Sequence, residues 1–222
     1  MHWDSYGTSL RLTVQELRFE ELLVLRAKQD DGTSQDLRIE LRALTDQVTA
    51  ITLTLTGDMN EDQRSGSAAG WHTQLRILER YLSLEPKPRT SFAAFGTAVL
   101  PLASVYDALS HPGRWLCRED LHLKQEGQRY AMTTVSADPD PGQSLSGDVV
   151  SLVGGRELAL WCNELGGIIR MRSIPLAGGG ARLVGVAVIR WGEQPAALAL
   201  QDALRTGVDR LIASIGGPSG TA

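Results

Sequence analysis

Leu158-Ala159-Leu160-Trp161-Cys162, Ile168-Ile169-Arg170-Met171-Arg172-Ser173-Ile174 and Leu183-Val184-Gly185-Val186-Ala187-Val188-Ile189 are three apolar runs inside Asp148 to Gly216, and their reading decides the fold. Leu165-Gly166-Gly167 separates the first two, and Ala177-Gly178-Gly179-Gly180 separates the last two. Glycine-rich breaks between short apolar runs mark turns between strands. The second run alternates: Arg170 and Arg172 take one parity, Ile169 and Met171 the other. The third is apolar on both parities, as a central strand covered on both faces must be.

A helix follows. Pro195 suits a first helical turn, where the missing N–H costs nothing. Ala197, Leu200, Leu204, Val208, Leu211 and Ile215 recur at spacings of three and four and share one face. Gln201, Asp202, Arg205, Asp209 and Arg210 lie mostly away from it, and Gly216-Gly217-Pro218 ends the helix. Gly207 costs about 1 kcal/mol against alanine there, so the sequence predicts close packing of that turn on a sheet. Leu200, Leu204, Val208 and Leu211 are expected to bury against Val184, Val186 and Val188.

Working toward the N-terminus, Trp115, Cys117, Leu121 and Leu123 share a strand parity, with Arg118, Asp120, His122 and Lys124 on the other. Tyr130 to Val135 reads as a further strand, and Asp138-Pro139-Asp140-Pro141-Gly142 as a stiff loop. A short helix is expected from Pro101, stopped by His111-Pro112-Gly113. Leu10, Leu12 and Val14 alternate with polar residues, as do Leu37, Ile39 and Leu41, and Ile51, Leu53 and Leu55. Asp30-Asp31-Gly32 suits a hairpin turn between strands at 22–28 and 37–42. Thr52, Thr54 and Thr56 form a row typical of a solvated sheet face. Gly57 to Gly70 is polar and reads as a loop, dispensable for folding. It leads into a helix with Trp71, Leu75, Leu78 and Leu82 as its apolar stripe, ended by Pro86 and Pro88.

The expected fold class is therefore α+β: mainly antiparallel sheet in two lobes, each with helix packed on the sheet, and a long C-terminal helix. Residues 1–90 form the strand-rich first lobe ending in a helix, 91–113 a helical connector, and 114–222 the second sheet with its helix.

With 42% hydrophobic and 22% charged residues in 222, the chain has the make-up of a globular protein with a sizeable core. A net charge of −4 disfavours a nucleic-acid partner. Apolar runs fall short of the roughly 20 residues that a membrane helix needs. The first residues lack the basic and apolar segments of a signal peptide, so a cytoplasmic location is expected. Cys117 and Cys162, the two cysteines, sit among apolar neighbours and are expected to be unreactive core thiols.

Candidate chemistry is sparse. Cys117-Arg118-Glu119-Asp120-Leu121-His122 carries ligand types, but five positions along a strand put Cys117 and His122 on opposite faces. Zinc needs about four ligands, and no second close pair exists. Cys162 has no designated base among His2, His72, His111 and His122. The glycine-rich turns lead into strands, whereas phosphate cradles use helix N-termini. Asp138 and Asp140 lack the rest of a calcium loop. Catalytic, metal and cofactor sites are thus not expected. A possible anion or partner contact remains: Arg170, Arg172 and Arg190, which align on one sheet face if their strands are neighbours. The same arginines can instead pair with Glu157 or Glu164.

The first functional expectation is a non-catalytic, cytoplasmic protein-binding, chaperone-like or assembly module, with a protein partner or a homodimer formed through a sheet edge or helix face. The alternative is a small-molecule-binding sensor or enzyme, its pocket between the two lobes near Thr52 and Thr54 or near Arg170 and Arg172.

Overall fold

A computed structural model describes residues 2–3, 10–28, 32–83, 90–97, 101–135, 142–175, 181–189 and 194–216. The chain is α+β and divides into two compact units, Met1–Arg64 and Ser65–Ala222.

The first unit is a five-stranded antiparallel meander in chain order: β1 (His2–Trp3), β2 (Leu10–Arg18), β3 (Leu22–Lys28), β4 (Ser34–Thr45) and β5 (Val48–Gly57). Cross-strand partners share a face. Val14, Leu25, Leu37 and Leu55 form one row, Leu17, Leu23, Ile39 and Leu53 the next, then Leu41 with Ile51. The other face carries Arg26 with Asp36, Arg38 with Thr54, and Glu40 with Thr52. Alternation along each strand therefore gives one apolar and one mainly polar face. Thr52, Thr54 and Thr56 are exposed.

The second unit is built on a six-stranded antiparallel sheet. Its strands are β6 (Thr90–Thr97), β7 (Arg129–Thr133), β8 (Ser144–Val153), β9 (Glu157–Cys162), β10 (Gly167–Pro175) and β11 (Ala181–Ile189). They lie in the order β6-β11-β10-β9-β8-β7. The 91–113 stretch thus supplies an edge strand paired with β11 as well as a helix. Helices α1 (Glu61–Leu82), α2 (Leu102–Leu109) and α3 (Gln194–Gly216) complete the chain.

Helix α3 lies against β6 and β11. Leu200, Leu204, Val208 and Leu211 are buried in one cluster with Ile169, Met171, Leu158, Leu160 and Trp115. Asp202, Arg205, Asp209 and Arg210 are exposed. The side chains of Val184, Val186 and Val188 lie outside the described residues, so α3 is placed on β11 by its backbone. Gly207 serves a neighbour other than the sheet: a Cβ there would stand 3.0 Å from the Trp115 carbonyl oxygen and 3.3 Å from its ring. The missing side chain lets α3 approach the segment after α2.

That segment is irregular, and the strand expected from Trp115 to Lys124 is absent. Pro112 explains it. The amides of Trp115, Leu116 and Cys117 all donate to the Pro112 carbonyl, at 3.0, 2.7 and 3.0 Å. A 3-10 turn at Pro112–Arg114 results. Only the isolated pairing of Cys117 with Thr134 remains of a ladder.

Helix α1 departs twice from expectation. It begins at Glu61, so most of the 57–70 stretch is helix. Asn60 is its cap: Asn60 Oδ1 accepts from the Gln63 amide at 2.8 Å, and Gln63 Oε1 accepts from the Asn60 amide at 3.0 Å. This reciprocal pair satisfies two otherwise orphaned donors. Second, the buried face is Gly66, Ala69, Gly70 and Thr73, with Ile77 packed against Val150, Ala159, Trp161 and Ile168. Of the expected stripe, Trp71 and Leu75 are half-buried, while Leu78 and Leu82 are exposed, Leu82 to 70%.

Candidate functional site

Arg170 and Arg172 stand on β10, on the parity opposite Ile169 and Met171. The register sets Arg172 directly across from Glu157 of β9, and Arg170 across from Ala159. Glu157 takes both cations. Arg170 donates from Nε at 2.7 Å and from its terminal nitrogen at 2.8 Å, and Arg172 Nε lies 2.9 Å from the same carboxylate. The Glu157 side chain is fully buried and that of Arg170 nearly so. Both also reach α1: Arg172 donates to the Gly66 carbonyl at 3.2 Å and Arg170 to the Gly70 carbonyl at 3.4 Å.

The small residues of α1 now have a cause. A Cβ on Gly70 would stand 2.7 Å from the Arg172 guanidinium. Long arginines on the sheet leave room for a helix only if that helix presents backbone. Thr73 adds a buried hydroxyl pair with Ser151 at 2.9 Å. The two arginines therefore grip Glu157 and α1 of their own chain. Arg190 lies outside the described residues.

The thiols sit in the core. Cys162 Sγ is 2.9 Å from the Tyr130 hydroxyl, which also donates to the Trp161 carbonyl at 2.8 Å. Burial pushes Cys162 up to about 12 and the Tyr130 phenol well above its usual range. Burial, with the nearby Glu119 charge, pushes Cys117 up to about 11. A thiol so protonated is a poor nucleophile at neutral pH.

His111 and His122 come together, their rings stacked with centroids 3.8 Å apart. His111 donates Nδ1–H to the Asp107 carbonyl at 2.6 Å, and Arg114 pairs with the Asp107 carboxylate at 2.5 Å. Desolvation, and then the neighbouring His111 and Lys124, hold His122 below the usual imidazole value; Asp107 pulls the other way, and Arg114 adds the smallest downward contribution. Among the described residues no group of three or more His, Cys, Asp or Glu could hold a metal ion. None of the described helices is long and apolar enough to cross a membrane.

A concave site lies in the first unit, beside the β2–β3 turn. The β2–β3 connection is a tight turn in which the Glu21 amide donates to the Arg18 carbonyl at 3.1 Å. Glu20 takes φ 59°, the left-handed region usually left to glycine or asparagine. This conformation costs about 1–2 kcal/mol for a residue with a Cβ. It presents Phe19 at 84% exposure. Beside the turn is an open groove of about 790 Å³. Arg18, Glu40 and Thr52, a cross-strand row, line it together with Phe19, Leu41, Arg42, Ala43, Ala50, Glu20 and Glu21. Arg18 lies 3.3 Å from Glu16 and 3.6 Å from Glu21, and Glu40 accepts from Arg38 at 2.9 Å. Arg42 makes no ion pair among the described residues. The groove belongs to the N-terminal unit alone, and Thr52 is the one residue of the expected threonine row that lines it.

No protein-family model matches the sequence, and neither does any curated protein. Among solved structures, a protein from Chromobacterium violaceum is 20% identical, with 58% of this chain and 99% of that one covered and a TM-score of 0.45. The AHSA1-like protein from Aeromonas hydrophila is 14% identical, with coverage of 57% and 94% and a TM-score of 0.41. The di-domain ARO/CYC protein StfQ from the steffimycin biosynthetic pathway is 12% identical, with coverage of 93% and 78% and a TM-score of 0.40. Likenesses of this size assign no function, and the fold described above stands on the chain's own strands and helices.

Proposed function

We propose that the chain is a binding protein for a small amphipathic molecule, seated in the groove beside the β2–β3 turn. Phe19 and Ala50 offer apolar surface, and Arg42 offers a guanidinium that can meet an acidic group in bidentate fashion. The observation that carries this reading is the conjunction at the turn: a strained Glu20 holding an exposed Phe19 over a groove of ligand size. The probe is 1-anilinonaphthalene-8-sulfonate, an aromatic sulfonate. Saturable binding is expected, weakened about tenfold in Phe19→Ala and in Arg42→Ala, the loss that about 1.4 kcal/mol produces. Binding that is unchanged in both variants overturns the reading.

A second reading, a protein-binding module, is favoured by Val14 and Leu17, which are 57% and 67% exposed on the same strand. Its signature is a partner lost from Leu17→Glu while probe binding in the groove persists.

A further inference from the structure

The two edges of the N-terminal sheet are defended very differently. On one side, among the described residues, β2 is paired at its outer edge by the two residues of β1. That edge carries Arg11, Glu16 and Arg18 and is kinked by a bulge between Val14 and Glu16. Charges and bulges are the usual means of stopping a sheet edge from recruiting another strand. On the other side is β5, Val48-Thr49-Ala50-Ile51-Thr52-Leu53-Thr54-Leu55-Thr56-Gly57. It has no charged residue and no proline, and from Thr49 to Gly57 it keeps unbroken register with β4. Among the described residues no strand pairs with its outer edge. Its threonines at 49, 52, 54 and 56 are exposed.

We infer that β5 pairs antiparallel with β5 of a second copy of this chain, about a two-fold axis at Leu53. A two-fold axis sets a strand against itself, so any charge near the centre would face its like. The absence of charge over ten residues removes that obstacle. Centring on Leu53 uses the whole unbroken stretch. Leu53 then faces Leu53 of the partner copy, Ile51 faces Leu55, and Thr52 faces Thr54. Opposed residues share a face, so the apolar rows of the two sheets become continuous. Thr52 and Thr54 meet as threonine pairs, which favour antiparallel neighbours. The occupant is a second copy because the strand is its own complement in pattern, whereas a charged partner strand would find no counter-charge.

The test is sedimentation equilibrium of the full chain. Wild type is expected to be a dimer. Thr52→Lys with Thr54→Lys sets lysine against lysine twice across the axis and should weaken the dimer about 100-fold, a usual result of like charges across an interface. A second variant, Thr52→Glu with Thr54→Glu, should be monomeric alone and form a heterodimer when mixed with the lysine variant. Restoration on mixing also guards against misfolding as the cause of the loss. A monomeric wild type, a lysine variant that stays dimeric, or a mixture that stays monomeric each overturns the pairing. Phe19→Ala should leave the dimer intact, so failure of the ligand reading and failure of this one are distinguishable.

Discussion

Glu157→Gln is the sharpest perturbation the second unit offers. The substitution keeps the shape of the side chain and removes one charge. Glu157 is fully buried and is shared by two guanidinium groups, one of them almost without solvent contact and the other 22% exposed. Without the carboxylate, Arg170 is left as an uncompensated buried cation. Breaking a buried pair from one side costs about 3–5 kcal/mol, a large part of the roughly 5–15 kcal/mol that holds a domain together. Arg172, nearer to solvent, can turn outward and recover water, so it adds little. Arg170→Met should cost less than Glu157→Gln, because Arg172 still balances Glu157 at 2.9 Å. The double variant Glu157→Gln with Arg170→Met should then be more stable than Glu157→Gln alone, which is strong non-additivity between touching residues. Urea denaturation of the four proteins, followed by tryptophan fluorescence and far-ultraviolet circular dichroism, measures the cycle. A loss below about 1 kcal/mol for Glu157→Gln, or simple addition in the double variant, would show that water reaches these charges and that α1 does not close over them.

Leu204→Ala should cost about 2–5 kcal/mol, since Leu204 is fully buried under α3, while Arg205→Ala on the exposed side should cost under about 0.5 kcal/mol; chemical denaturation separates the two, and a silent Leu204→Ala would remove α3 from the core. His122, held below its ordinary value of 6.5 in the fold, binds fewer protons folded than unfolded as pH falls through that value, so stability is full above it and declines below it. His122→Asn should flatten the profile between neutral and mildly acidic pH, and an nuclear magnetic resonance titration in which His122 titrates at or above the ordinary value would refute the assignment.

The strands from Glu157 to Ile189 and helix α3 were legible because their apolar residues follow the period of the element they form. Helix α1 was legible only in its second half. Its first turns carry Gly66, Ala69 and Gly70, which local propensity assigns to a loop, and the reason for them sits about a hundred residues away in Arg170 and Arg172. A local signal did exist: Asn60 and Gln63 have capping-box spacing ahead of a helix. The partner of the arginines was narrowed to Glu157 or Glu164, and folding β9 back onto β10 selects Glu157 by setting it opposite Arg172. The groove was not legible. Its turn is Arg18-Phe19-Glu20-Glu21, without glycine, asparagine or proline, and the left-handed Glu20 is imposed by the pairing of β2 with β3 and not by its own preference. The irregular path after Pro112 was hidden likewise, because alternation from Trp115 to Lys124 mimics a strand while three amides converge on one carbonyl.

The uncharged edge of β5 also has a position in time. Translation proceeds at about 5–20 residues per second, so β5 is on display for an interval of seconds while β6 to β11 are still being made. On a messenger carrying several ribosomes, that interval sets neighbouring nascent chains side by side, each displaying the same ten-residue strand. Partner choice is then a matter of which chain is being made next door, and assembly on the polysome becomes a competitor to assembly by free diffusion.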